Sequence, residues 1–242
     1  MSFNLPTETI ELPSKGLLYP EGHPLSNGTI EIKYMTAKEE DILTNQNYIQ
    51  NGTVIDKLLK SLIVTKFNYE ELLIGDKNAI MIASRILGYG AEYKFTYNGK
   101  EEVADLSKID NKPFDESLIT KGINEFSFKL PSSDNDITFK FLTHGDESKI
   151  NQELEGLKKL GKEGSPELTT RLKYVVTSIN GDRTTKLIRE FIDEAFLARD
   201  ARAFREYIGK VQPDVDLTFF PESSTKSINL PIGINFFWPD AD

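Results

Sequence analysis

The sequence predicts an α+β fold in which a unit of one strand, two or three helices and a β-hairpin occurs twice. Three observations support this prediction. Short segments of alternating apolar and polar residues are interspersed with amphipathic helical stripes, two blocks of sequence recur in the same order, and 242 residues suffice for two domains of roughly 120. A tandem duplication of this kind gives two similar lobes, which we expect over residues 1–112 and 113–242.

The first repeated block covers a strand and the start of a helix. Residues 29–41 align without a gap with residues 136–148, with identities at Ile30/Ile137, Lys33/Lys140, Thr36/Thr143 and Glu40/Glu147. Alternating apolar residues predict a half-buried strand in each copy. A threonine followed three positions later by an acidic residue then predicts a helix that begins with a capping box. The tripeptide LPS precedes both strands, at 12–14 and 130–132.

The second repeated block covers a helix and a hairpin. Residues 70–79 align with residues 194–203, and the alignment continues from 91–106 onto 215–230. The offset is 124 residues here and 107 in the first block, so about 17 residues are inserted between the blocks in the second copy. The polar segment 156–168 accommodates part of this insertion.

The first lobe is expected to contain two helices and a hairpin. A stripe from Val54 to Ile63 predicts one helix. A second helix follows Asp76, which we interpret as its N-cap, and ends at the glycines of residues 88–90. The hairpin lies near residues 93–106, with Asn98-Gly99, the strongest short-range hairpin signal, as its turn.

The second lobe follows a boundary within residues 110–123. We expect strands at Phe126–Leu130 and Ile137–Leu142, a helix opened by Ser165-Pro166, a helical stripe from Leu187 to Phe196 and a hairpin near 217–230. Residues 228–236 alternate again and predict a C-terminal aromatic strand, with Pro231 favouring an edge or a bulge. We expect this strand to bury Phe236 in the second lobe.

Composition excludes several classes of protein. The net charge of −9 and the scattering of the basic residues argue against nucleic-acid binding, which needs clustered Lys and Arg. The chain has no cysteine, so disulfides, thiolate zinc sites and cysteine nucleophiles are impossible. No apolar run approaches the ~20 residues of a membrane-spanning helix, and the first residues do not read as a signal peptide. We therefore expect no membrane insertion and synthesis into a cytoplasm.

Motifs that carry chemistry are not found in the sequence. His23 and His144 are the two histidines, and neither has a partner at metal-ligand spacing. The many carboxylates fall in amphipathic helices and loops, and no phosphate-binding loop or nucleophile elbow occurs. We expect no catalytic residue, no metal and no cofactor, and we regard a non-enzymatic interaction protein as better supported than an enzyme of unfamiliar design.

Two segments are candidates for binding a partner. The turn-rich stretch LPSKGLLYP places Leu17, Leu18 and Tyr19 either against their own lobe or on a partner. Phe237 and Trp238 lie beyond the repeated unit and break its alternation, and aromatic residues at such a terminus make good interface anchors. We expect these two aromatics either to dock on another subunit or to fold back.

Five segments, in order along nearly the whole chain, resemble the baseplate hub proteins of T-even-type contractile-tailed bacteriophages. They are LPSKGLLYP (12–20), TAKEEDILTN (36–45), GTVIDKLLKSLI (52–63), LLIGDKNAIMIASRILGYGAEY (72–93) and PIGINFFWPD (231–240). The resemblance implies a structural role in the tail baseplate of the virion, contacts with other baseplate, hub and tail proteins or further copies of the chain, and no catalytic activity. Related families include tail assembly chaperones, which leaves open a factor that is absent from the mature particle.

The chain departs from this resemblance at the two hairpin tips. Some relatives carry paired cysteines there in a zinc-ribbon-like arrangement, whereas this chain has other residues at the equivalent positions, namely Tyr97, Asn98, Gly99, Lys100 and Pro221, Glu222, Ser223, Ser224. Without thiolates these tips cannot bind zinc as a ribbon does. We predict that the purified protein contains no stoichiometric zinc. A metal-free ribbon-type binding module is a further alternative function.

Overall fold

The computed structural model describes residues 5–160 and 166–237, and within these ranges the chain has eight α-helices and four small antiparallel sheets. The predicted α+β class is confirmed. The helices are α1 (Ala37–Leu43), α2 (Gln46–Gln50), α3 (Val54–Leu62), α4 (Ile74–Tyr89), α5 (His144–Lys159), α6 (Glu167–Val175), α7 (Thr185–Glu190) and α8 (Ala198–Val211). The strands are β1 (Thr7–Glu11), β2 (Thr29–Lys33), β3 (Glu92–Tyr97), β4 (Lys100–Asp105), β5 (Phe126–Lys129), β6 (Asp136–Phe139), β7 (Val176–Ile179), β8 (Thr218–Phe219) and β9 (Ile228–Asn229).

Both halves start with an antiparallel strand pair followed by helices. In the first half β1 pairs with β2, and Ile63, just after α3, forms a bridge to Ile32. In the second half β5 pairs with β6, and Val176, just after α6, pairs with Phe139. After its helices, the first half returns to the strand pair through the single bridge between Ile63 and Ile32. The second half returns through a four-residue strand, β7.

Several predicted helices are confirmed, with one correction. The stripe from Val54 forms α3, and Gly90, with φ of 85°, ends α4. The stripe from Leu187 forms α7 and a π-helical turn over Phe191–Ala195. Asp76 is not the N-cap of α4, because Leu73 holds that position and Asp76 lies in the first turn with a buried side chain. Of the predicted helix start Ser165-Pro166, only Pro166 lies within the described residues, and it caps α6.

The two hairpins differ. Strands β3 and β4 pair over six residues, and Asn98 and Gly99 have φ of 50° and 75°, the positive values that a type I′ turn requires. Strands β8 and β9 pair over only two residues, so the second hairpin is much shorter than predicted and has a long loop between its strands.

One continuous hydrophobic core runs through both halves. Leu73 forms a bridge to Thr143, and Asn111 forms one to Val215. Phe95 of the first hairpin packs edge-on against Phe219 of the second, with ring centroids 5.3 Å apart. Each half therefore completes its core with side chains of the other.

The C-terminal strand predicted over 228–236 is also wrong. Strand β9 ends at Asn229, Pro231 follows without an N–H for a ladder, and Ile234–Phe237 form a 3₁₀ turn. This turn packs on the first half: the Nε of Arg85 donates to the Phe236 carbonyl over 2.9 Å. The Phe236 ring meets Tyr93 edge-on at 4.9 Å, so Phe236 is buried against the first half and not in the second as predicted.

Candidate functional site

The segment Leu17–Tyr19 holds the chain's own fold together. Leu18 and Tyr19 are 3% and 4% exposed, and Leu17 is half-buried with its carbonyl accepting the Gly122 N–H over 2.8 Å. The Tyr19 hydroxyl donates to Asp76 and accepts the Leu73 N–H. Of the two alternatives for this segment, the structure shows packing of Leu18 and Tyr19 against the chain's own core.

Phe237 is likewise unavailable to a partner. Its side chain is fully buried and meets the Phe236 ring edge-on, with centroids 5.3 Å apart. Of the two alternatives for this residue, docking on another subunit or folding back, the structure shows folding back. Trp238 lies outside the described residues.

The two hairpin tips are not equivalent. At the first tip Tyr97 is half-buried and Asn98, Gly99 and Lys100 are exposed. At the second tip Pro221 is buried, Ser223 and Ser224 are half-buried and Glu222 is exposed. The second tip is docked on the first hairpin.

The Glu102 carboxylate on β4 is the anchor for this docking. It accepts the N–H groups of Glu222 and Ser223, over 2.9 and 3.1 Å, and the Ser223 hydroxyl. The Ser223 hydroxyl is the main cause of the lowered pKa of Glu102, with further lowering from the two N–H groups. Sequence patterns gave no signal for this contact, because it joins residues about 120 positions apart.

We expect Glu102→Gln to loosen the second tip while leaving the first hairpin intact. The amide offers one acceptor oxygen in place of two, so it cannot hold both N–H groups and the hydroxyl. Hydrogen exchange at Glu222 and Ser223 should become faster, with unchanged exchange at Tyr97. Glu101→Gln, which alters an exposed neighbour on the same strand, is the matched control. Unchanged protection at Glu222 would show that Glu102 does not hold the loop.

A buried polar cluster around His144 lies where the two halves meet. The His144 ring packs edge-on against Tyr69, with centroids 4.6 Å apart, and its Nδ1 lies 3.6 Å from Asp56 and 3.4 Å from the Lys77 ammonium. Burial lowers the pKa of His144, which favours the neutral ring. Its Nε2 is 3.5 Å from the Ser148 hydroxyl.

The order Asp56–His144–Ser148 is that of a hydrolase triad, but the geometry does not suit that chemistry. A catalytic histidine donates from Nδ1 to the carboxylate and accepts the serine proton at Nε2. Here the Nδ1–Asp56 and Nε2–Ser148 distances are 3.6 and 3.5 Å, longer than the hydrogen bonds of such a triad, and the Lys77 ammonium also faces Nδ1. The cluster brings α3 and α4 of the first half together with α5 of the second.

Other candidate sites are weak. A cleft of about 750 Å³ between the turn at Asn51–Thr53 and α5 is lined by amide, carboxylate and hydroxyl side chains together with Leu154, Leu157, Lys158 and Pro166. Within residues 5–160 and 166–237, no three His, Asp or Glu side chains are grouped to bind a metal ion. No helix in those ranges is long and apolar enough to cross a membrane.

A buried aspartate binds the LPS turn in both halves. Asp76 accepts the Ser14 N–H over 2.9 Å and the Ser14 hydroxyl over 2.7 Å. Asp200, at the equivalent position of α8, accepts the Ser132 N–H over 2.7 Å and the Ser133 N–H over 3.0 Å. Burial raises the pKa of Asp76 against the lowering effect of its hydrogen bonds.

A lysine and a capping acid recur in the same way. Lys33 at the end of β2 pairs with Glu39 over 2.8 Å, and Lys140 after β6 pairs with Asp146 over 2.8 Å. Both acids accept the N–H and hydroxyl of the threonine that precedes their helix. The predicted capping boxes at Thr36 and Thr143 are confirmed.

Glu39 should make the stability of the protein sensitive to acid. Burial raises its pKa, but hydrogen bonds from Lys33, Thr36 and Ser61 outweigh burial and lower the pKa from the ordinary 4.5 to about 2. A depressed pKa contributes stability above pH 4.5 that is lost as the pH falls towards 2. The difference corresponds to about 3 kcal/mol.

We expect Glu39→Gln to flatten the acid limb of the unfolding free energy between pH 5 and pH 2 by about that amount. Chemical denaturation across this range measures it. Glu40→Gln, on the exposed face of the same helix, should leave the limb unchanged. Equal pH profiles for wild type and Glu39→Gln would contradict the assignment.

The junction between the halves contains a short antiparallel contact. The His144 N–H donates to the Leu72 carbonyl over 2.8 Å, and the Ile74 N–H donates to the Leu142 carbonyl over 3.1 Å. These bonds flank Leu73 and Thr143, which are therefore a non-hydrogen-bonded pair. Leu73 is 5% exposed at this contact.

The positions equivalent to this junction are open on the outside of the molecule. Leu197 occupies the place of Leu73 at the start of α8 and is 49% exposed. Thr36 occupies the place of Thr143 at the start of α1, and the adjoining Ala37 is exposed where His144 is buried. We refer to Phe196–Ala198 as the Leu197 edge and to Met35–Ala37 as the Thr36 edge. The repeat alignment pairs these residues with those of the junction, but only the structure shows which of them are exposed.

Comparisons with protein-family models, curated proteins and solved structures found no match for this chain.

Proposed function

We propose that the chain is a non-enzymatic structural subunit of a bacteriophage tail baseplate, in its central hub, and docks to other tail and baseplate proteins. The observation that carries this proposal is the resemblance of five segments, in order, to baseplate hub proteins of T-even-type phages. The protein would belong to the virion and pass through the host cytoplasm during assembly. Nucleic acid, membrane and cofactor have no part in the proposal.

We also propose that the chain arose by tandem duplication. The recurring contacts support this: the LPS turn on Asp76 and on Asp200, and the lysine with a capping acid at Glu39 and at Asp146. Helices α4 and α8 start at residues 74 and 198, which keeps the offset of the sequence alignment. These equivalent hydrogen bonds support the duplication independently of the short apolar patterns in the sequence.

A duplicated unit suits a structural role in an assembly. Two similar but non-identical faces can meet neighbours of different symmetry, and one hydrophobic core is shared by both halves. The cluster at His144 also joins α3 and α4 of the first half to α5 of the second.

Affinity purification from infected cells tests the proposal. The chain is tagged at its N-terminus, and proteins that co-purify are identified by mass spectrometry. Enrichment of baseplate and tail proteins over a mock purification with the tag alone is the expected result. Absence of tail proteins from the eluate would contradict the proposal. Binding of the purified chain to DNA at low ionic strength would instead favour the metal-free ribbon-type binding module.

A further inference from the structure

We infer that the chain associates with a second copy of itself head to tail, the Leu197 edge of one molecule docking on the Thr36 edge of the next. The inference rests on the duplication proposed above. Inside the chain, the Leu73 segment of the first half already docks on the Thr143 segment of the second. The equivalent segments recur at the outer ends, where Leu197 and Ala37 are exposed.

The backbone groups at the two edges match the internal contact. In the internal contact, carbonyls of Leu72 and Leu142 accept and N–H groups of Ile74 and His144 donate. Their equivalents are the carbonyls of Phe196 and Met35 and the N–H groups of Ala198 and Ala37. Within residues 5–160 and 166–237, these four groups make no hydrogen bond.

The exposed side chain agrees with a missing partner. Leu197 is 49% exposed whereas its equivalent Leu73 is 5% exposed, although both precede the same type of helix. Docking would remove this leucine from water and place it opposite Thr36. The contact adds a β-bridge to an apolar anchor, as in strand addition at a sheet edge.

Opposite charges at the two edges favour docking of one copy on the next. In the internal contact Gly145 lies against Glu70, and the equivalent outer residues are Lys38 and Glu194, both exposed and opposite in charge. A Cβ at Gly145 would lie 3.0 Å from the Glu70 carbonyl oxygen. The Lys38 side chain therefore requires the outer contact to open by a few tenths of an ångström.

The resulting interface is heterologous, because each molecule uses a different edge. Head-to-tail contacts of this kind close into rings or continue as filaments. One β-bridge and one leucine bury little surface, so the association in solution is expected to be weak and to depend on concentration.

Single-cysteine variants test this contact directly, because the natural chain has no cysteine. Opposed residues of a non-hydrogen-bonded pair have Cα atoms about 4.5 Å apart, within disulfide range. Thr36→Cys and Leu197→Cys proteins are purified separately, mixed and oxidised. We expect a disulfide-linked dimer with one chain of each kind, about tenfold above a control mixture because docking raises the effective thiol concentration.

The control mixture pairs Val103→Cys with Ile123→Cys, two residues that are each 49% exposed. The double variant Leu73→Cys/Thr143→Cys should close within one chain and verifies the register. Mixed dimer at the level of the control, or Leu197→Cys linking mainly to itself, would overturn the inference. Cross-linking of Leu197→Cys only to a different protein in infected cells would also overturn it. The assay uses purified chain, so its failure leaves the co-purification result for the baseplate role unaffected.

Discussion

Replacement of Phe236 by alanine should lower the free energy of unfolding by about 3–5 kcal/mol, the cost typical of removing a buried phenylalanine. The Phe236 side chain is fully buried, and its ring centroid lies 4.9 Å from that of Tyr93. The Arg85 side chain donates a hydrogen bond to the Phe236 carbonyl. The loss leaves a cavity between the C-terminal turn and the first half. Urea denaturation measures the change through the transition midpoint.

Phe220→Ala is the matched control, since Phe220 is 70% exposed on the loop of the second hairpin. Its replacement should change stability by less than about 0.5 kcal/mol. The prediction separates two roles for the C-terminal aromatics. If Phe236→Ala kept its stability and lost only its binding to tail proteins, the turn would be an interface and not a part of the core.

Asp76→Ala should destabilise the protein by a similar amount, about 4 kcal/mol. The carboxylate is 1% exposed and accepts three hydrogen bonds, from the N–H and hydroxyl of Ser14 and the hydroxyl of Tyr19. Alanine leaves three buried donors without an acceptor, and each unsatisfied donor costs about 1–3 kcal/mol. The turn that carries Leu18 and Tyr19 would lose its attachment to α4, which thermal or urea unfolding would detect.

Asp41→Ala supplies the comparison, because Asp41 is an exposed aspartate on α1. Its loss should have little effect on stability. Asp200→Ala removes the acceptor of two backbone N–H groups in the equivalent turn of the second half. Its loss of unfolding free energy should fall between those of Asp76→Ala and Asp41→Ala. A neutral Asp76→Ala would mean that the LPS turn does not depend on this carboxylate.

Local features of the fold were predicted well from the sequence. Each of these features depends on residues within three positions of each other, so it can be predicted from neighbouring residues in the sequence. They are the capping boxes at Thr36 and Thr143 and the turn at Asn98-Gly99. The stripe of α3 was equally clear because its apolar period is that of a helix facing a core.

Features that depend on distant residues were missed. Asp76 looked like an N-cap, but its hydrogen-bond partners Ser14 and Tyr19 are 62 and 57 positions away. Phe236 looked like one more residue of a strand, and the buried Arg85 that binds its carbonyl lies 151 positions earlier. For Phe237 the sequence left docking on another subunit and folding back equally open, and the structure shows the side chain fully buried.

The Leu197 edge could be predicted in part from the sequence and in part only from the structure. The alignment of residues 70–79 with 194–203 already paired Leu73 with Leu197. Only the packing distinguished the copy that is covered from the copy that is open, because coverage of Leu73 comes from Thr143 in the other half.

Quantitative mass spectrometry of purified virions tests the proposed baseplate role most directly. A structural hub subunit should be present in the mature particle in a fixed ratio to other baseplate proteins, and it should stay with baseplates after the tail is dissociated. Absence from virions, with the chain still recovered alongside tail proteins in infected cells, would contradict a structural subunit and identify an assembly factor that leaves the finished tail.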